Sequence, residues 1–137
     1  MPVVNCSSSS HLTQSYICDN AYDGNDGTYW HSSSGGKLEW ITLDLAKDYH
    51  LEAIKILEGT TYRSQNISVE FSDGTKTQQV LEDSTCKWKQ IQLLPKLVTS
   101  FVNITTISGY GSPSYRTLYE LRVFGCSPGG FTMQNIC

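Results

Sequence analysis

The sequence predicts an all-β sandwich or barrel, and three observations predict it. Short apolar–polar alternations recur along the chain, clusters of Gly, Pro, Asn and Asp separate them, and no segment carries a long, capped helical stripe. Residues 38–45 alternate, with Ile41, Leu43 and Leu45 on one face. Residues 51–57 set Leu51, Ala53 and Leu57 against Ile54 and Ile56, the pattern of a strand covered on both faces. Residues 66–72 alternate cleanly with Ile67, Val69 and Phe71 inward, and Asp73-Gly74 then closes a hairpin turn. Residues 76–81, 88–93 and 97–107 supply further strands, and 119–124 the last, with Tyr119, Leu121 and Val123 on one face. Trp40 and Trp88 are read as core, His11 and His50 as surface residues. The connections 29–37, 58–65 and 108–118 are rich in Tyr, Ser, Gly, Thr and Arg, the composition of recognition loops on a rigid scaffold.

A length of 137 residues is one domain's worth and enough to bury a core. The expected division is a domain over 1–126 and a linker or tail over 127–137, marked by Pro128-Gly129-Gly130. The net charge is -3 and the ten Lys and Arg are scattered, so neither nucleic acid nor an anionic membrane is an expected partner. No apolar run approaches a membrane span, and no secretory leader is visible; Met1-Pro2 reads as the start of an excised or processed domain. None of the five cysteines sits in a Cys-x-x-Cys pair, which argues against zinc and for an oxidising compartment. Cys6 and Cys126 bracket the domain and would suit a bridge between its ends. Cys18 and Cys86 would make a second, with connectivity left open, and Cys137 is the expected leftover thiol, free to pair with another chain or a further domain. Three Asn-x-Ser/Thr sequons, at Asn5, Asn66 and Asn103, agree with a secreted or extracellular glycoprotein.

Residues 21–32, AYDGNDGTYWHS, are the densest in chemistry. Asp23-Gly24, Asn25 and Asp26-Gly27 turn tightly and point oxygens inward, as a loop that wraps a hard cation does, and Glu120 offers a distant second carboxylate. Trp30 reads as a buried anchor that delivers His31 to the surface. The nucleophile-elbow, zinc-protease and phosphate-loop motifs are absent, and no pair of carboxylates at one cleft is evident, so the chain is not expected to be an enzyme.

Five segments in order carry a family resemblance: Cys6; A-x-D-G-N-x-x-T-x-W over 21–30; E-W-I-T-L-D-L over 39–45; N-I-S-V-E-F-S-D-G over 66–74; and Y-E-L-R-V-F-G-C over 119–126. Together they resemble a discoidin domain, the C-type domain of coagulation factors, within the galactose-binding-like superfamily. The resemblance implies an eight-stranded jelly-roll β-sandwich with adjacent termini and a Cys6–Cys126 staple. The Trp30-His31 step is closest to F-type lectins and to the galactose-binding modules attached to bacterial glycosidases. The single Arg63 in E-G-T-T-Y-R-S-Q-N, with no R-x-D, sits nearer the latter. The implied function is a calcium-stabilised, lectin-like module for glycans ending in galactose, N-acetylgalactosamine or fucose. The alternative is a cell-adhesion or phospholipid- or protein-binding discoidin domain. The resemblance assigns structural calcium to Asn20, Asp23, Asn25, Thr28, Tyr119 and Glu120, and implies sugar contacts from His31, Arg63 and Asn66. A planar guanidinium suits a vicinal diol and a ring plate suits the apolar face of a pyranose, so Tyr62, Tyr110 and Tyr115 are candidate plates, Glu58 a candidate hydroxyl acceptor and Arg116 a reserve donor. His31 and Arg63 are expected to project from loops into solvent.

Overall fold

The computed structural model describes residues 3–33, 38–60, 62–93, 95, 97–111 and 115–126. These form nine strands: β1 (Val3–Ser8), β2 (Trp30–His31), β3 (Trp40–Leu57), β4 (Tyr62–Phe71), β5 (Lys76–Val80), β6 (Trp88–Ile91), β7 (Val98–Gly111), β8 (Thr117–Leu118) and β9 (Glu120–Cys126). Two single 3-10 turns, Gln14–Tyr16 and Cys18–Tyr22, lead into the Asp/Gly loop.

The long strand β3 organises the sandwich. Its first half pairs antiparallel with β1 and β7, and β4 and β5 extend that layer in the order β1-β3-β7-β4-β5. Its second half pairs with β6 and β9 and belongs to the other layer. Register shifts between Asp44 and Tyr49, and again between Leu51 and Ala53, bend the strand from one layer into the next. β1 meets β3 before the bend and Cys126 meets it at His50, so both ends of the domain reach the same strand.

Core residues follow strand phase. Ile41, Leu43 and Leu45 point inward from β3, Ile67, Val69 and Phe71 from β4, Val102 and Ile104 from β7, and Leu121 and Val123 from β9, all buried. The Asp73-Gly74 turn forms as expected, with Gly74 at a φ of 88° and the Asp73 carboxylate accepting from the Thr75 N–H at 2.9 Å. Residues 51–57 depart from the expected two-faced pattern, because the bulge after Leu51 resets the phase and puts Leu51, Ile54 and Ile56 on one buried face.

Three expectations are corrected. Trp40 and Trp88 are not core: Trp40 is half-buried, one position out of phase with Ile41, and Trp88 is exposed, with the Arg122 guanidinium 4.6 Å from its ring centroid. The cysteine pairing also differs. Cys6 bonds to Cys18, with Cα atoms 6.1 Å apart, which excludes both Cys6–Cys126 and Cys18–Cys86. The bridge ties β1 to the 3-10 turn ahead of the Asp/Gly loop and does not close the domain's ends. Cys126 is itself disulfide-bonded, and the free thiol among the described residues is the exposed Cys86. Cys137 and the tail over 127–137 lie outside the described residues.

Candidate functional site

The site is built on the short β2–β8 ladder, which pairs Trp30 with Leu118 and His31 with Thr117. Trp30 is buried and its indole N–H donates to the Ser10 carbonyl at 2.9 Å. Alternation along the strand then turns Tyr29 and His31 to the opposite side. Ser32 locks the next step: its N–H donates to the Arg116 carbonyl and its hydroxyl accepts from the Arg116 N–H, at 2.9 and 2.8 Å. The Thr117 hydroxyl donates to the Tyr62 carbonyl at 3.3 Å, which brings the start of β4 to the same end of the sandwich.

Six rings gather there. The Tyr62 and Tyr115 rings meet His31 edge-on at centroid distances of 5.4 and 5.0 Å, and meet each other at 5.2 Å. Tyr16 lies 5.7 Å from His31 and stacks on Tyr29 at 5.0 Å; Tyr29 in turn stacks on Tyr119 at 4.6 Å. All five tyrosines are half-buried, so each keeps part of a ring in solvent. His31 itself is 9% exposed and does not project freely. Its Nδ1 lies 2.7 Å from the Ser32 carbonyl, which can only accept, so Nδ1 carries the proton and Nε2 of the neutral ring is left as an acceptor. The arrangement provides an amphipathic platform: aromatic faces for an apolar ring surface, and one imidazole acceptor among phenol hydroxyls.

Three other expected sugar contacts lie on β4 and β7. Arg63 follows Tyr62 on β4 and so faces the opposite way. Its Nε and Nη2 donate to Asp83 at 3.0 and 2.7 Å, its Nη1 donates to the Thr60 carbonyl, and its guanidinium lies 6.0 Å from the ring of Tyr110, its cross-strand partner. Tyr110 donates its hydroxyl to the Leu81 carbonyl at 2.8 Å. The structure therefore joins Arg63 with Tyr110, whereas the described ring contacts of His31 are with Tyr16, Tyr29, Tyr62 and Tyr115. Asn66 lies within β4, at the bulge where the register with β7 slips.

Glu58 is removed from the set of available acceptors. It is 2% exposed; one oxygen faces the equally buried Lys89 ammonium at 3.1 Å and the other accepts the Ser64 N–H at 2.9 Å. Burial pushes its pKa above the usual carboxylate value, against the pull of Ser64 and Lys89. Arg116 is buried, its guanidinium laid over Gly109, where a Cβ would stand 2.5 Å from the guanidinium carbon. The rings of Tyr16, Tyr29 and Tyr119 were not expected here. The Tyr29-Trp30-His31 alternation carried the signal for one of them.

The Asp/Gly loop converges on a second centre. Asp23 accepts the Asn25 N–H at 2.9 Å and the Thr28 hydroxyl, and that hydroxyl also lies 3.1 Å from the Asn25 carbonyl. Glu120 is 2% exposed and accepts the Gly24 N–H at 3.1 Å. Burial first, and then the hydrogen bond with Asp23, push Glu120 up to about 7. Burial also acts to raise Asp23, but bonds from Thr28, Asn25 and Glu120 outweigh it and hold Asp23 below its usual value. The two carboxyl groups thus lie in one site that also gathers a hydroxyl and a carbonyl. A hard cation takes the same oxygen donors, so Asp23, Asn25, Thr28 and Glu120 fit calcium chemistry. Asn20 sits in the preceding 3-10 turn, its side-chain amide donating to the Ser15 and Tyr29 carbonyls at 2.8 and 3.1 Å. Tyr119 precedes Glu120 and its ring links this loop to the aromatic platform through Tyr29. Asp26 lies outside the cluster, 3.6 Å from Arg122. Cys6, Cys18 and Asp19 also lie together, but the two sulfurs are bonded to each other and are not ligands.

Comparison with known proteins places this geometry in context. The fold matches the family 32 carbohydrate-binding module of Clostridium perfringens NanJ, solved with galactose, at a TM-score of 0.76 and 21% identity over 87% of this chain and 91% of that one. A second Clostridium perfringens module, from a family 89 glycoside hydrolase and solved with GalNAc-β-1,3-galactose, matches at 0.76 and 17% identity over 88% and 94%. The chitosan-binding module 2 of a Paenibacillus sp. IK-5 chitosanase/glucanase, solved with chitotriose, matches at 0.69 and 18% identity over 91% and 98%. At these identities the likeness is one of fold. No curated protein sequence matches the chain. The F5/8 type C domain model matches residues 4–121, and the chain belongs to that family.

Proposed function

We infer that the domain is a non-catalytic sugar-binding module that holds a galactose-type terminal residue on the platform of His31, Tyr62 and Tyr115. The observation that carries this reading is the imidazole locked by Ser32, with Nε2 left as an acceptor and two half-exposed phenol rings at 5.4 and 5.0 Å. A pyranose with one apolar face and a neighbouring pair of hydroxyls matches such a surface, since the rings cover the C–H face and the acceptor takes a hydroxyl proton. The sugars held by the two Clostridium perfringens modules, galactose and GalNAc-β-1,3-galactose, support the choice of sugar class.

Calcium on Asp23, Asn25, Thr28 and Glu120 completes the proposal. It supplies positive charge between the two carboxylates and ties the Asp/Gly loop to the last strand. Its effect reaches the platform through the Tyr119–Tyr29–Tyr16 stack. The Cys6–Cys18 bridge supports an extracellular working place, where such bonds persist. The test is a glycan array with refolding-competent, calcium-loaded protein. Preference for terminal galactose or N-acetylgalactosamine is expected. A flat array, or salt-sensitive capture by phosphatidylserine vesicles instead, would overturn the reading in favour of a lipid-binding discoidin domain.

A further inference from the structure

The outer face of the five-stranded layer carries two large, half-buried aromatic rings, Trp40 and Phe101. Strand phase sets the pattern. On β7, Phe101, Asn103 and Thr105 point outward while Val102 and Ile104 point into the core. The registers line these up in rows: Asp44 with Phe101; then Thr42, Asn103, Glu70 and Lys76; then Trp40, Thr105, Ser68 and Gln78. Trp40 and Phe101 therefore stand on either side of Asn103, each one row away, about 7 Å along the strands. Two open hollows of about 470 Å³ each meet at Glu70 and Asn103. One of them is walled by Trp40, Thr42, Asp44, Glu70, Phe101 and Asn103. Both volumes fall in the range of ligand sites.

Asn103 also opens the triplet Asn103-Ile104-Thr105. Its side-chain oxygen accepts the Thr42 hydroxyl at 2.8 Å, which turns the amide nitrogen toward the Thr105 hydroxyl at 3.5 Å. The residues flanking the floor are Asp44, Glu70 and Lys76, of mixed sign, so the trough does not select a polyanion and suits an uncharged occupant. It is the face of a sheet and offers no free backbone edge, so an added peptide strand has no ladder to join.

We propose that Asn103 is an N-glycosylation site and that the first sugar of the attached glycan seats in this trough against Phe101 or Trp40. The donor is an oligosaccharide carried on a lipid diphosphate in the secretory pathway. The Asn103 amide nitrogen loses one proton and bonds to the sugar's C1. The C1–O bond to the diphosphate breaks, and its electron pair leaves with the lipid diphosphate, so no oxidant or reductant is involved. Once folded, the glycan covers what two half-buried aromatic rings leave in solvent. The loop end with His31 and Tyr115 stays open. This inference is independent of the sugar-binding reading.

The experiment is to secrete the chain from a eukaryotic cell line and map its glycopeptides by mass spectrometry. The same chain exported from bacteria, with Asn103 intact and unmodified, serves as reference. Occupied Asn103 is expected, with a melting temperature a few degrees above the bacterial protein and less quenching of tryptophan fluorescence by acrylamide. Phe101→Ala and Trp40→Ala should leave occupancy in place but shrink that difference in melting temperature, and in a background of Asn5→Gln and Asn66→Gln the further change Asn103→Gln should abolish it. An unmodified Asn103 in folded, secreted protein overturns the site. An occupied Asn103 whose stabilising effect is unchanged in the Phe101→Ala, Trp40→Ala double variant overturns the seat.

Discussion

Lys89→Met tests whether Glu58 is a structural residue or a ligand-binding one. Lys89 is an inward-facing position of β6, and its side chain is 3% exposed against 1% for Glu58. The variant removes the ammonium 3.1 Å from Glu58 and leaves a buried carboxylate with the Ser64 N–H as its remaining described bond. Losing one partner of such a pair costs about 3–5 kcal/mol, because the other charge stays buried without its closest counter-charge. Burial already raises the Glu58 pKa above 4.5, and loss of the attraction to Lys89 raises it further. A carboxyl group whose folded pKa exceeds its unfolded value binds protons better when folded. Its penalty is therefore absent below about pH 4.5, grows as pH rises, and is complete once pH passes the raised folded value. Urea unfolding should show the variant's deficit shrinking between pH 7 and pH 4.5. The double variant Glu58→Gln, Lys89→Met should recover most of the loss and bind sugar as the wild type does. A deficit below about 1 kcal/mol, the size of an exposed ion pair, or one independent of pH would refute the reasoning.

Other consequences are as concrete. Non-reducing peptide mapping should find Cys6 joined to Cys18, and Cys18→Ser should cost about 3 kcal/mol by the loop-closure estimate for a sequence separation of 12, whereas Cys86→Ser should cost little. Calcium at a hundredfold excess over its Kd should stabilise the domain by about 2.7 kcal/mol, an effect that chelation reverses and Glu120→Gln removes; an identical melting curve with and without chelator rejects the ion. Gly109→Ala should cost about 1–3 kcal/mol, because its Cβ would meet Arg116 at 2.5 Å and the Arg63 carbonyl at 2.7 Å; a melting temperature equal to wild type would show that Arg116 is free to move.

Strand phase made much of the fold readable in advance. Ile67, Val69 and Phe71 fall where alternation puts them, and the same rule applied to Ile41 already turns Trp40 outward, against the habit of placing every Trp in the core. Residues 51–57 were misread because a bulge shifts phase without leaving a mark in the sequence. Cysteine connectivity is undetermined by spacing, and the Cys6–Cys18 bridge serves the short loop between them instead of spanning the domain. At the site, the Trp30-His31 step was legible as a buried anchor that turns the next side chain the other way, although His31 itself is only 9% exposed. The meeting of His31 with Tyr62 and Tyr115 depends on the β2–β8 ladder and on Thr117 reaching the Tyr62 carbonyl, and no local pattern encodes either. Arg63 and Tyr62 are neighbours on one strand, so only one of them can face His31. Glu58 looked available because its partner, Lys89, comes 31 positions later.

The most direct test is the affinity of calcium-loaded protein for methyl galactoside, measured by titration calorimetry for Tyr115→Ala and Arg63→Ala beside the wild type. With the platform of His31, Tyr62 and Tyr115 as the binding surface, Tyr115→Ala should weaken binding about tenfold, equivalent to about 1.4 kcal/mol, and Arg63→Ala should stay within about threefold. Loss of binding in Arg63→Ala with Tyr115→Ala unchanged would move the site to the opposite face of β4 and contradict the account.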